Sequence, residues 1–144
     1  IAGYYPSNFE VNVLKFMKSA EEKNYTISLP HIKTDNTLSF KVWKFGNPLY
    51  VNSFGIPEPK SSSRDTAPGV FLLPLVSFDK KMNRVGYGKG YYDKSLNEIS
   101  KKRSDFITIG IAYSFQKYHN IPKDSHDFKL NYVFTEQGII SSVY

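Results

Sequence analysis

One unbroken run, Arg84-Val85-Gly86-Tyr87-Gly88-Lys89-Gly90-Tyr91-Tyr92-Asp93, holds the residue types in this chain best suited to chemistry. Glycines at alternate positions let a backbone approach an anion closely, with amide N–H groups turned toward it. Arg84 can fork two oxygens of a phosphate, and Lys89 adds a point charge. Asp93 could hold a hydrated magnesium ion. The spacing is neither the dinucleotide fingerprint nor the phosphate loop that ends in Lys-Ser/Thr. A second reading therefore stands beside anion binding: a glycine-rich connection followed by an ordinary helix-start aspartate.

The surrounding elements decide where such a run would sit. Val70 to Val76 is the most apolar stretch, short and bounded by turn residues, which predicts a buried strand. Pro74 cannot donate to a ladder, so it belongs near the strand's carboxyl end or at a bulge. Asp79, Lys80 and Asn83 mark a turn, with Asp79 as turn-former closing the strand. Tyr91 to Lys101 reads as a helix with Leu96 and Ile99 inward. The glycine run thus joins a strand to a helix start, whose free amides and dipole favour anions. In α/β sheets, ligands bind beyond the carboxyl ends of the strands.

Elsewhere, Ser7 and Glu10 have capping-box spacing ahead of a stripe of Val13, Phe16, Met17 and Ala20, which predicts a helix ending at Lys23-Asn24. Thr26 to Leu29 alternates like a strand stopped by Pro30, and Leu38 to Trp43 alternates again. Phe45 to Pro68 is rich in turn residues and is expected to be mostly loop. Phe106 to Ala112 and Tyr132 to Phe134 read as further strands. Strands interleaved with helices predict a single α/β domain over residues 1–144, three layers deep, with a largely parallel central sheet flanked by helices.

Composition narrows the partners. The 144 residues, 40% hydrophobic and 16% aromatic, suit one packed domain. No apolar run approaches the roughly 20 residues needed to span a bilayer. Without cysteine, disulfides and thiolate metal sites are excluded. A formal charge of +6 attracts anions, yet the lysines occur singly or in pairs such as Lys80-Lys81, not in the block that marks a nucleic-acid tail. His31, His119 and His126 share no metal-ligand spacing. Trp43 and Tyr5 suit either a core role or stacking on a flat ligand.

The run Phe71-Leu72-Leu73-Pro74-Leu75-Val76-Ser77-Phe78-Asp79, followed by Asn83 to Asp93, closely resembles the signature of 5-formyltetrahydrofolate cyclo-ligases. Tyr4-Tyr5-Pro6 with Glu10, Leu38-Ser39-Phe40 with Trp43, Gly55-Ile56-Pro57-Glu58-Pro59, His126-Asp127 and Thr135-Glu136 extend the likeness in order along the chain. The resemblance implies a three-layer α/β fold and an ATP- and magnesium-dependent closure of 5-formyltetrahydrofolate to the 5,10-methenyl form. It assigns Arg84, Val85, Gly86, Tyr87, Gly88, Lys89, Gly90, Tyr91 and Tyr92 to ATP, with Arg84 and Lys89 as the catalytic cations. Glu10, Gly88, Lys89, Gly90 and Tyr91 fall to the folate, and Asp93 and Asp127 to magnesium.

Family members usually carry a longer basic, helical amino-terminal region, so this chain is expected to lack it and to be weak in catalysis alone. Gly69 also stands after Pro68 where an acidic residue is common. The expected setting is a cytoplasmic monomer working on 5-formyltetrahydrofolate and ATP, with no nucleic acid and no membrane. The alternative is a non-catalytic remnant that binds a nucleotide or phosphate ligand.

Overall fold

Alternation along the central strands sets the layers. In the computed structural model, which describes residues 1–7, 9–87 and 89–142, the first helix, α1 (Leu14–Glu22), precedes an antiparallel pair, β1 (Ser28–Ile32) and β2 (Leu38–Val42). Two short strands, β3 (Tyr50–Val51) and β4 (Pro57–Glu58), form a hairpin. β5 (Val70–Pro74) leads into a second hairpin, β6 (Ser77–Phe78) and β7 (Arg84–Val85). Then come α2 (Tyr91–Ser100), β8 (Ile107–Ile111), a 3-10 turn (Ser114–Gln116), β9 (Tyr132–Thr135) and β10 (Gly138–Ser141).

β5, β8 and β9 lie side by side in parallel, and β10 closes that edge antiparallel to β9. Parallel bridges from Ala2 to Ser28 and to Phe71 place the chain's first residues between β1 and β5. The sheet is therefore parallel at its centre and antiparallel at its edges, within an α/β layer structure. Phe71 and Leu73 point to one face, packing with Leu96 of α2. Leu72 points to the other, packing with Met17 and Ala20 of α1. One helix per face makes the three layers. Full burial of side chains such as Phe71 and Leu73 contributes roughly 1.5–3 kcal/mol each.

Some local expectations change. Ser7 and Glu10 do exchange bonds, but they close a turn ahead of the helix. α1 starts only at Leu14, whose N–H is accepted by Asn12 Oδ1 at 2.9 Å. Pro30 lies within β1 and does not end it. Backbone bonds from Trp43 N–H to Ile27 O and from Lys33 N–H to Thr37 O fix the register. They leave Pro30 at a non-hydrogen-bonded pair with Phe40, so its missing N–H costs the β1–β2 ladder nothing. The hairpins β3–β4 and β6–β7 and the edge strand β10 were not legible as strands. The hairpin strands are two residues each, too short to show a period, and β10 presents only one apolar pair, Ile139-Ile140.

Candidate active site at the carboxyl edge of the sheet

β5 ends at Pro74, and the β6–β7 hairpin carries the chain beyond the sheet's carboxyl edge before the glycine run returns it to α2. The hairpin turn is held by Asp79. This buried carboxylate accepts N–H bonds from Lys81, Asn83 and Ile121 and one from the Asn83 side chain, as expected of a turn-former. Burial pushes its carboxyl upward, but the hydrogen bonds from Asn83, Ile121 and Lys81 more than reverse this and hold it below the usual range.

Arg84 and Val85 form the second hairpin strand, so the glycine run starts as a strand and not as an open loop. Arg84 is turned inward, and its guanidinium side chain is only 5% exposed. Nη1 donates to Pro74 O at 3.5 Å, Nη2 lies 3.7 Å from Asp93 Oδ1, and the charge sits 5.6 Å from the centre of the Tyr92 ring. Nε is buried with no partner among the described residues. Gly86 makes room for this arrangement, because a Cβ there would lie 2.8 Å from Nη1. Gly90 adopts φ 69° at the start of α2, a left-handed conformation that favours glycine, and no side chain caps the helix. Lys89 is exposed, with its ammonium 4.8 Å from the Phe54 ring centre at the tip of the β3–β4 hairpin. Gly88 lies outside the described residues.

Two places flank Arg84. The first is an open groove of about 550 Å³, lined by Gly90, Asp93, Lys94, Asn97, Asp127 and their neighbours. Asp93 Oδ1 accepts the Phe128 N–H at 3.1 Å, and Asn97 Nδ2 donates to His126 O at 2.8 Å. These bonds dock the 124–128 turn on α2, so the two aspartates named for magnesium face one groove. Asp127 Oδ2 accepts the Asp124 N–H at 3.0 Å. Among the described residues, no cluster of three or more His, Cys, Asp or Glu side chains could form a protein metal cage. Magnesium does not need one. It is commonly held by one or two carboxylates, waters and a substrate's phosphates, and this donor set fits that mode.

The second place is a bowl of tyrosines around Glu10. Ser7 donates its N–H and hydroxyl to Glu10 Oε1, at 2.7 and 2.9 Å. Burial, and after it the nearby Glu10 carboxylate, raises the Tyr87 phenol above its ordinary value. Burial raises Tyr92 further; Arg84 opposes this and Glu10 adds to it. Tyr4, buried, donates to Val11 O at 2.7 Å, and burial followed by the Glu10 charge keeps its phenol protonated. Glu10 therefore serves both the turn and the bowl. Arg84 spans the two places, touching Tyr92 on one side and Asp93 on the other.

Tyr91 packs edge-on to Phe54 at 6.0 Å, between Lys89 and the core. Val85, the second residue of β7, is exposed. Trp43 is buried in the α1-side core, its indole N–H donated to Asn47 O at 3.1 Å, which settles its role as structural. His31 contacts Glu58 Oε1 and Pro59 O and ties β1 to β4, and His119 and His126 are exposed. Tyr4 was missed as a bowl residue. Its Tyr-Tyr-Pro motif carried the family likeness, but no spacing signals that it folds onto Glu10.

This architecture defines an α/β domain whose candidate site lies beyond the carboxyl ends of parallel strands. The chain belongs to the 5-formyltetrahydrofolate cyclo-ligase family, a family of ligases, whose model matches residues 1–136. It is 35% identical over 136 residues to the 5-formyltetrahydrofolate cyclo-ligase of Haemophilus influenzae, covering 90% of this chain and 72% of that protein. A probable enzyme of the same name from Schizosaccharomyces pombe is 31% identical over 72% of this chain, which spans 57% of that relative's length. The NMR structure of 5,10-methenyltetrahydrofolate synthetase from Aquifex aeolicus matches with a TM-score of 0.78 at 30% identity, over 99% of this chain and 71% of that one. The Mycoplasma pneumoniae synthetase gives a TM-score of 0.67 at 27% identity, over 92% of this chain and 70% of that one. Among the described residues, no helix is long and apolar enough to cross a membrane.

Proposed function

We propose that this chain converts 5-formyltetrahydrofolate to 5,10-methenyltetrahydrofolate at the expense of ATP. The formyl oxygen attacks the terminal phosphorus of ATP, and ADP departs. The activated formyl carbon is then attacked by the neighbouring nitrogen, that nitrogen loses its proton, and the oxygen leaves with the phosphate. The first step is required because a formamide oxygen is a poor leaving group. Phosphoryl transfer needs positioning and charge neutralisation more than covalent help.

The observation that carries this reading is the bridge between bowl and groove. Glu10 offers an acceptor, and the nearby Tyr87 hydroxyl a donor, to the N–H and carbonyl edge of a pterin. Gly90, the α2 start and Lys94 offer an anion-binding surface to the phosphates. Arg84 lies between them with a buried N–H unpaired among the described residues, and would fix positive charge beneath the point where the phosphoryl group crosses. Lys89 stands on the exposed side of the same loop and reaches the phosphates when released from Phe54. Asp93 and Asp127 would hold magnesium, which supplies charge neutralisation when bound.

The setting we infer is a cytoplasmic monomer with no nucleic-acid partner. A remnant that only binds phosphate is not favoured, because Glu10 and its tyrosine walls have no part in phosphate binding. The test is absorbance of the methenyl product in a mixture of chain, 5-formyltetrahydrofolate, ATP and magnesium. Product formation that needs every component is expected. ATP binding without product would favour the remnant.

A further inference from the structure

β8 leaves the sheet through Ala112 into Tyr113, which is still extended (φ −88°, ψ 149°). Side chains alternate along extended chain, so Tyr113 continues the side taken by Ile109 and Ile111. Those two pack into the α1-side cluster to which Tyr4 belongs. Tyr113 therefore emerges at the carboxyl edge on the bowl's side, and its hydroxyl is near enough to Tyr4 to help raise that phenol.

The segment after β8 is firmly anchored. Gln116 Oε1 accepts the Tyr113 N–H at 2.7 Å, and its Nε2 donates to Leu75 O and Val76 O. Ser114 gives its N–H and hydroxyl to the Glu136 carboxylate, and Tyr118 N–H is donated to Phe78 O at 2.8 Å. Yet this fixed backbone holds two rings out toward solvent. Tyr113 is 40% exposed and Phe115 76%. The rings stack on each other, centres 5.5 Å apart with only 6° between their planes, and leave apolar ring surface open to solvent. Neither ring belongs to the core clusters, so packing does not explain why the face is held so rigidly.

We propose that the Tyr113–Phe115 pair is the outer wall of the folate site and takes the aminobenzoyl ring of the substrate, the part beyond the pterin held at Glu10. A folate carries two flat ring systems joined by a short link. A ligand whose pterin fills the bowl must pass outward over a neighbouring wall, and this pair is a preformed one on the bowl's side. Offset stacking on such a face is worth up to about ten-fold in affinity. The inference rests on the proposed folate reaction and deepens it.

The experiment compares calorimetric binding of 5-formyltetrahydrofolate with that of 5-formyltetrahydropterin, which lacks the aminobenzoyl group, to the unaltered chain, Phe115→Ala and Phe115→Trp. Phe115→Ala should weaken the folate about ten-fold and leave the pterin unchanged, and Phe115→Trp should restore the folate. Phe115 is exposed, and misfolding would weaken both ligands together. Equal folate affinity for the unaltered chain and Phe115→Ala would overturn the wall, as would equal losses for both ligands. Turnover of the unaltered chain is scored separately. Normal turnover with an unchanged Phe115→Ala affinity sinks only the wall, whereas folate binding without turnover sinks only the reaction.

Discussion

Asp79 and Glu10 are two carboxylates at the same edge of the sheet, and they are used in opposite ways. Asp79 is 1% exposed and takes four hydrogen bonds from its own chain. Its acceptors are consumed in holding the β6–β7 turn against Ile121. Glu10 takes bonds from Ser7, but it is only half-buried and lies among tyrosines. The difference separates scaffold from site. A carboxylate saturated by its own fold fixes geometry, whereas one left partly open inside an aromatic bowl can still orient a ligand.

The largest effect should come from Arg84, which joins the two places. Arg84→Ala should lower turnover by roughly 10²–10³-fold, the scale for loss of one preorganised donor in a transition state. Arg84→Lys should not fully rescue it, because the forked geometry is lost. Steady-state rates at saturating ATP and folate check this, and near-normal turnover in the alanine variant would exclude the role.

Asp79→Ala should act on stability instead. It strands buried N–H groups that each cost about 1–3 kcal/mol to leave unpaired, so a loss of about 3 kcal/mol is expected in denaturant titration, with folate affinity of the folded fraction unchanged. The pH dependence has a definite sign. The folded carboxyl sits below its unfolded value, so its contribution is fully present above about pH 4. It is lost as the pH falls through the lower folded value. A variant that unfolds in acid at the same midpoint as the parent would remove Asp79 from this account.

Glu10→Gln should reverse the pattern, raising the KM for folate about ten-fold through loss of a charge-assisted acceptor while changing stability little. Equal KM values would return Glu10 to a purely local turn. The smallest effects are expected at the groove. Asp93→Asn and Asp127→Asn should each raise the magnesium concentration needed for half-maximal rate, by a few-fold, since each keeps its shape but loses charge. Unchanged magnesium dependence in both would leave the aspartates as docking groups for the 124–128 turn.

The central strands, both helices and the Asp79 turn were legible because each leaves a local signature: an apolar run, a helical stripe, a turn residue. The chemistry of the glycine run was legible in kind but not in arrangement. Nothing in the order Arg-Val-Gly says that the arginine folds beneath its own loop. That placement follows from Gly86 yielding space and from Tyr92 and Asp93 lying on the next helix turn. The Tyr4–Glu10–Tyr87 bowl was invisible to spacing, because the segment of Tyr4 and Glu10 is distant in sequence from Tyr87 and meets it only when the amino-terminal bridge inserts beside β5. Only the resemblance linked Glu10 to the site.

The central claim is that the formyl oxygen is phosphorylated before the ring closes. The most direct measurement follows 5-formyltetrahydrofolate carrying a heavy oxygen isotope in its formyl group through turnover with ATP and magnesium. The account predicts that the label leaves in the inorganic phosphate, one labelled oxygen for each methenyl product formed. Label appearing in water, with unlabelled phosphate, would contradict it.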